Sequence, residues 1–304
     1  GRPVINFNYI DDILVASDNE KQHQEDLEAI FRVLSEHGIQ LNEAKCEFGK
    51  TELEFLGHKI TTEGILPLED KVKAIRDYPL PVTYRQLRGF QGLVNFYHRF
   101  IPSAAEKLSS LTELLRGKNK CKNTVVKWND EAKEAFNSAK QCIAEATMLH
   151  YPDPEADITI TVDASDKAAA GVLEQCIDNA WRPIGFFSRK FTPREQKYSV
   201  FSRELLAIYL SLKHFRYFVE GLEFSIYTDH RPIIGAIKRP GQRENARECR
   251  QLSYIAQYTT DIRHISGTDN VVADTLSRPG ETNEFNETND EVDPTTVISA
   301  VFVD

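Results

Sequence analysis

The chain has 304 residues, 41% hydrophobic and 27% charged, with a formal net charge of −9. That is enough for two or three domains, each with its own core, and no apolar run nears the roughly 20 residues of a membrane span. Cys46, Cys121, Cys142, Cys176 and Cys249 are odd in number and far apart, which argues against a disulfide framework or a zinc site and fits a reducing compartment.

The acidic balance counts mildly against a nucleic-acid partner. Charge is uneven, however. After Pro279 come Glu281, Glu284, Glu287, Asp290, Glu291, Asp293 and Asp304 with no Lys or Arg, while Lys118 to Lys122 and Arg243 to Arg250 are basic stretches. Composition alone does not settle the partner. The opening Gly1-Arg2-Pro3-Val4 has no signal-peptide pattern and no initiating Met, so the expectation is a chain that begins inside a longer one.

Phe7 to Ser17 is two strand-like runs broken by Asp11-Asp12, which reads as a hairpin with the acids at its tip. Adjacent carboxylates repel, and a divalent cation such as Mg²⁺ relieves them. Leu27, Ile30, Phe31 and Leu34 fall at helical spacing before Gly38, a packing helix with a glycine stop. Leu41 to Phe48 and Glu54 to Ile60 read as short strands, with His58 beside Gly57.

Glu69 to Gly117 is helical in pattern. Arg88, Gln91, Asn95 and Arg99 share one face with Gly92, and Leu87, Phe90, Val94, Tyr97 and Ile101 lie on the opposite stripe. A polar face with a glycine suits either solvent or close approach to a duplex. Lys118 to Lys127 reads as a basic linker, and Trp128-Asn129-Asp130 opens another helix with Ala132, Ala135, Phe136, Ala139 and Ile143 inward. Pro152-Asp153-Pro154 breaks the chain at an expected domain boundary.

Ile158 to Val162 is a strand that ends in Asp163, and Phe224 to Thr228 repeats the pattern and ends in Asp229. Between them lie two more strands, Gly171 to Ile177 and Trp181 to Ser188, and a helix expected to start at Thr192-Pro193-Arg194-Glu195. Its apolar stripe runs from Phe201 to Val219 with Glu204 beside it. A buried carboxylate needs a cation, and a salt bridge to Arg203 or Arg216 is the bland alternative. Ile262 to Ile265 reads as a last strand, and Asn270 to Arg278 as a short helix presenting Asp274. Four acids sharing a small space cannot all ionise without cations. Two Mg²⁺ ions, or Mn²⁺ in their place, would neutralise them and clamp one scissile phosphate.

These residues carry a resemblance. Tyr9-Ile10-Asp11-Asp12, Leu41-Asn42-x-x-Lys45-Cys46, Phe55-Leu56-Gly57-His58 and Leu87 to Ile101 resemble the reverse transcriptase of gypsy-type LTR retrotransposons. Asp163, Glu204, Asp229 and Asp274, with Tyr227-Thr228-Asp229-His230 and Asn270-x-x-Ala273-Asp274-x-Leu276-Ser277-Arg278, resemble the ribonuclease H domain of the same elements. The implied fold is α/β (α+β): partial palm hairpins and a helical thumb and connection, then a ribonuclease H-like mixed five-stranded sheet flanked by helices. The implied domains are 1–68, the end of the palm; 69–117, thumb; 118–156, linker and connection; 157–279, ribonuclease H; and 280–304, an acidic tail, disordered through Pro294 and apolar again from Thr295, where the next polyprotein segment is expected.

By the resemblance, Asp11 and Asp12 bind the polymerase Mg²⁺, though the palm's third aspartate lies upstream of this hairpin, so this piece alone should not polymerise. Phe55, Leu56, Gly57 and His58 form the hairpin gripping the primer end, and the face of Gln91, Gly92, Asn95 and Arg99 tracks the primer–template. Asp163 bridges two ions, Glu204 binds the first and contacts the ribose 2′-OH, Asp229 is a further ligand and Asp274 holds the second. Relatives carry a proton-shuttling His at a spacing similar to that of His264. Arg243, Arg247 and Arg250 fall on one helical face and could meet hybrid phosphates. The expected activity is endonucleolytic hydrolysis of RNA in RNA–DNA hybrids. The expected partners are hybrid and primer–template, other parts of the Pol polyprotein and a second copy in a homodimer. The expected setting is the cytoplasm, including virus-like particles, and not a membrane. The rival from another class is a catalytically silent nucleic-acid-binding remnant. An integrase-like nuclease is disfavoured because Glu204 lies between the aspartates.

Overall fold

The computed structural model describes residues 5–116, 124–238, 244–266 and 297–302. Its contacts divide the chain into two units, residues 1–68 with 283–304, and residues 69–282.

In the first unit β1 (Ile5–Tyr9) and β2 (Asp12–Ser17) form an antiparallel hairpin in which Tyr9 faces Asp12. The two-residue tip is therefore Ile10-Asp11, and Ile10 sits at φ 55°, a conformation that strains a β-branched residue. Helix α1 (Glu20–Glu36) follows, capped by Asn19, whose side chain accepts the Gln22 N–H. Strand β3 (Glu47–Lys50) precedes a meander of β4 (Glu52–Phe55), β5 (His58–Thr61) and β6 (Gly64–Pro67). Phe55 pairs with His58 across Leu56 at φ 47° and Gly57 at φ 77°, the two positive φ values of a tight hairpin turn. One strand was not foreseen as part of this unit. Val297–Phe302 lies antiparallel between β2 and β3, and its Ile298 and Ala300 join Leu53, Phe55 and Ile60 in the core. The disorder expected for 280–294 falls outside the described residues.

The second unit begins with helices α2 (Glu69–Arg76), α3 (Tyr84–Phe96), α4 (Ala104–Lys107), α5 (Ser109–Leu115) and α6 (Asp130–Ala144). Thr83 and Gln86 make a reciprocal capping box on α3. The expected stripe is the buried one: Leu87, Phe90, Val94, Tyr97 and Ile101 are all 2% exposed or less. Helix α6 opens where Trp128-Asn129-Asp130 suggests, with the Asn129 side chain accepting the Ala132 N–H. After β7 (Leu149–His150) comes the five-stranded mixed sheet that was expected.

Strands β8 (Ile158–Ala164), β9 (Ala168–Ile177) and β10 (Ala180–Lys190) form an antiparallel meander, and β11 (Phe224–Thr228) and β12 (Ile262–His264) add in parallel, in the order β10-β9-β8-β11-β12. Helix α7 (Val200–Val219) covers β8 and β9, α8 (Arg231–Lys238) follows β11, and α9 (Ala246–Ala256) packs on α7. Ile160, Leu173, Leu205, Ile208, Leu212 and Ile226 are central to the shared core. Gly171 lets α7 approach: a Cβ there would stand 2.4 Å from Ser211 Oγ.

The start of α7 differs from expectation. Thr192 and Glu195 do cap each other, Glu195 N–H to Thr192 Oγ1 and Thr192 N–H to Glu195. They close only a short 3₁₀ turn, Glu195–Lys197; the chain then extends at Tyr198, and Ser199 caps the long helix. Among the described residues no helix is long and apolar enough to cross a membrane, and none of Cys46, Cys142, Cys176 and Cys249 forms a disulfide there.

Candidate active site

Parallel pairing aligns β8 with β11, and Thr161 stands opposite Tyr227. Two residues further along each chain stand Asp163 and Asp229, so both acids leave the sheet at the same end. Next to β11, Thr228 pairs with His264 at the end of β12, which puts that histidine at the same sheet end. The buried Thr228 hydroxyl accepts the His230 N–H and turns the chain after Asp229.

Glu204 projects from the second turn of α7 and is 4% exposed. One oxygen, Oε2, has no hydrogen-bond partner. The Glu204 carboxyl is pushed up to about 8, first by burial and then by the charges of Asp163 and Asp229, against a small opposing effect of the Ala164 N–H and Arg203. The bland alternative fails on placement. Arg216 pairs with Glu220 at 3.5 Å, and Arg203 reaches the carbonyl of Gln196. Burial also holds His230 below the usual histidine range, with Asp229 opposing.

An orphaned carboxylate oxygen beside two further acids is a hard-oxygen donor set of the kind Mg²⁺ takes. Among the described residues, however, no three His, Cys, Asp or Glu side chains are drawn close enough to hold a metal ion. Asp274, the fourth acid of the expected set, lies outside the described residues, as does Arg243.

The other expected sites divide. Asp11 is exposed at the hairpin tip and Asp12 opens β2, half-buried. Phe55 needs correction as a nucleic-acid contact: it is 4% exposed, in the core and edge-on to Phe7. Leu56, Gly57 and His58 remain partly accessible at the turn, with the His58 ring bonded to the Leu56 carbonyl. On α3, Gly92 and Asn95 are exposed, while Gln91 donates to Thr112 on α5. Arg99 leaves the helical face because α3 ends at Phe96; its guanidinium lies 5.1 Å over the Phe100 ring. Arg250 is exposed and Arg247 half-buried, three residues apart on α9.

Arg247 belongs to a cluster the sequence did not reveal. Its guanidinium lies 3.7 Å over the Tyr198 ring, donates to Ser202 and stands 3.6 Å from buried Glu248, to which Ser202 also donates. This ties α9 to the first turn of α7, two residues from Glu204. The one visible hint was Asn245-x-x-Glu248, a capping box at the start of α9.

Comparison with known proteins agrees with this architecture. A family described as reverse transcriptase (RNA-dependent DNA polymerase) matches residues 4–60, and one described as an RNase H-like domain found in reverse transcriptase matches residues 128–226. The Tf2-3, Tf2-4 and Tf2-7 transposon polyproteins of Schizosaccharomyces pombe are each 33% identical over 273 residues, covering 89% of this chain. The chain spans about a fifth of the length of these curated relatives (20%). Two solved structures share the fold. The foamy viral protease-reverse transcriptase dRH in complex with double-stranded DNA has a TM-score of 0.71 at 21% identity, covering 86% of this chain and 45% of the other. The foamy viral protease-reverse transcriptase in complex with an RNA/DNA hybrid has a TM-score of 0.71 at 23% identity, covering 86% and 35%. Residues 4–60 thus resemble a reverse transcriptase and residues 128–226 an RNase H-like domain, in a chain that is similar over 89% of its length to transposon polyproteins.

Proposed function

We propose that the second unit hydrolyses the RNA strand of RNA–DNA hybrids in a divalent-metal-dependent reaction, and that the first unit supplies Asp11 and Asp12 to RNA-directed DNA synthesis only within the longer polyprotein. The observation that supports the nuclease most is Glu204, a buried carboxylate with one orphaned oxygen, its proton held first by burial and then by the charges of two acids at the neighbouring strand ends. Asp163, Glu204, Asp229 and Asp274 are the residues that would hold the metal. Bound divalent cations would supply charge neutralisation, an activated water and stabilisation of the leaving oxygen.

The chain's own residues account for the rest. The β8–β11 pairing fixes two acids at one sheet end, and α7 brings the third from the side. Burial keeps solvent from Glu204, so its carboxyl carries a proton near neutral pH until a cation displaces it. The fold likeness to structures holding double-stranded DNA and an RNA/DNA hybrid supports nucleic acid as the partner. The chain would meet it through Leu56 to His58, through Gly92 and Asn95, and through Arg250.

The test is cleavage of labelled RNA, in a hybrid and in an RNA duplex, by the full chain with Mg²⁺, Mn²⁺ or chelator. Metal-dependent cleavage confined to the hybrid, lost in Asp163→Asn and Glu204→Gln, is expected. Cleavage that survives chelation or either substitution overturns the site. Hybrid binding without cleavage at any metal concentration favours the silent-remnant reading.

A further inference from the structure

Three elements meet on the first turn of α7. The Phe201 ring lies 6.0 Å, centroid to centroid, from the ring of His230, the residue after Asp229. The Glu204 carboxyl accepts the N–H of Ala164, the residue after Asp163. Between the two in the chain, Ser202 is 5% exposed and reaches α9. One turn of helix thus touches the chain beside both strand-end acids and carries the third acid itself.

Ser202 is held from two sides. Its N–H donates to Ser199 Oγ at 3.2 Å, and the Ser199 hydroxyl donates back to Ser202 Oγ at 3.1 Å. The Ser202 hydroxyl donates to Glu248 Oε1 and accepts from Arg247 at 3.3 Å. Glu248 is itself buried, and both of its oxygens are taken: Oε2 accepts the Asn245 N–H at 2.9 Å. Its counter-charge, Arg247, lies over the ring of Tyr198, where the chain is still extended before α7 begins. The network therefore fixes the entry to α7, its first turn and the first turn of α9 against one another.

Stability alone does not call for such a network. A buried ion pair costs desolvation that an apolar contact of the same size avoids. What a hydrogen-bonded pair adds is uniqueness, because only one setting of the two helices satisfies its donors and acceptors. Ser202 and Glu204 are two residues apart on the same turn, so a shift of one carries the other. At a reacting centre a displacement of about 1 Å is felt strongly.

We propose that Ser202, Glu248 and Arg247 are positioning residues for the nuclease: they set where the first turn of α7 carries Glu204 relative to Asp163 and Asp229. They act through Glu204 and touch neither metal nor substrate. This role rests on the metal-dependent reading proposed above.

The test compares the full chain with Ser202→Ala, Ser202→Thr, Glu248→Gln and, as a control for stability alone, Asn129→Ala, which removes the α6 cap. Two properties are read. One is the Mg²⁺ concentration that gives half of the metal-induced rise in urea midpoint, measured without substrate. The other is the split between kcat and KM in hybrid cleavage. In Ser202→Ala and Glu248→Gln the half-point should rise about fivefold or more and kcat should fall about tenfold or more. KM should stay within about twofold, because strand binding lies elsewhere. Ser202→Thr keeps the hydroxyl and should stay near wild type. Asn129→Ala should lower the midpoint in chelator and leave the half-point and kcat alone. If Ser202→Ala does not fold, Arg247→Lys, which keeps the charge and loses the planar fork over Tyr198, is read against the same outcomes. A lowered midpoint with a wild-type half-point and kcat would make the network a structural tie only and overturn the positioning role, with the metal site left standing. No Mg²⁺-induced rise in wild type would overturn the metal-dependent reading and this role with it.

Discussion

Replacing Glu204 by Gln keeps the shape of the side chain and removes its titration. In the folded protein the Glu204 carboxyl titrates at about 8 instead of 4.5. Because the folded value is the higher one, Glu204 contributes fully to stability below about pH 4.5. That contribution is lost as pH rises through about 8. At about 1.4 kcal/mol per pK unit, the cost of ionising it without metal is about 3–5 kcal/mol. Urea unfolding in chelator, from about pH 5 to pH 9, should show wild type falling behind Glu204→Gln by that order. Glu174, also buried and pushed up to about 7, titrates in both proteins and cancels in the comparison. Saturating Mg²⁺ should narrow the gap by stabilising wild type alone. Parallel pH courses for the two proteins would refute the reasoning, because the buried carboxylate would then have another partner.

Other substitutions separate the causes. Asp163→Asn and Asp229→Asn should each shrink the pH-dependent gap without closing it, since burial precedes both charges as the cause of the shift; the same unfolding series reads this out. Gly171→Ala should cost about 1–3 kcal/mol from overpacking, because the new Cβ meets Ser211 Cβ at 2.9 Å as well as Oγ, measured as a lower urea midpoint. Arg247→Ala should destabilise the fold by about 2 kcal/mol through the lost Tyr198 and Glu248 contacts. By contrast Arg250→Ala should leave stability unchanged and lower the slope of log hybrid affinity against log salt by about 1.

The parts of this molecule visible in its sequence were those that local chemistry dictates. Alternation drew β8 and β11 and put an acid at the end of each. Glu204 was legible because a carboxylate beside an apolar stripe is expensive without a counter-charge. The stripe of α3 and the opening of α6 at Trp128-Asn129-Asp130 were legible for the same local reasons. The Thr192–Glu195 signal was real but short-ranged: it closes one turn, and Ser199 caps the long helix that begins later. Phe55 read as a hairpin contact because a motif does not disclose burial. Nor does the sequence of β9 show that Gly171 is where α7 comes nearest.

The most direct measurement is the titration of the Glu204 carboxyl, followed by site-specific carbon NMR in the presence and absence of Mg²⁺. A midpoint near 8 without metal that falls into or below the ordinary carboxylate range with Mg²⁺ is the expected result, and in Asp163→Asn the metal-free midpoint should be lower and respond less to Mg²⁺. An ordinary midpoint without metal, or one indifferent to Mg²⁺, would contradict the claim that these acids form a cation site.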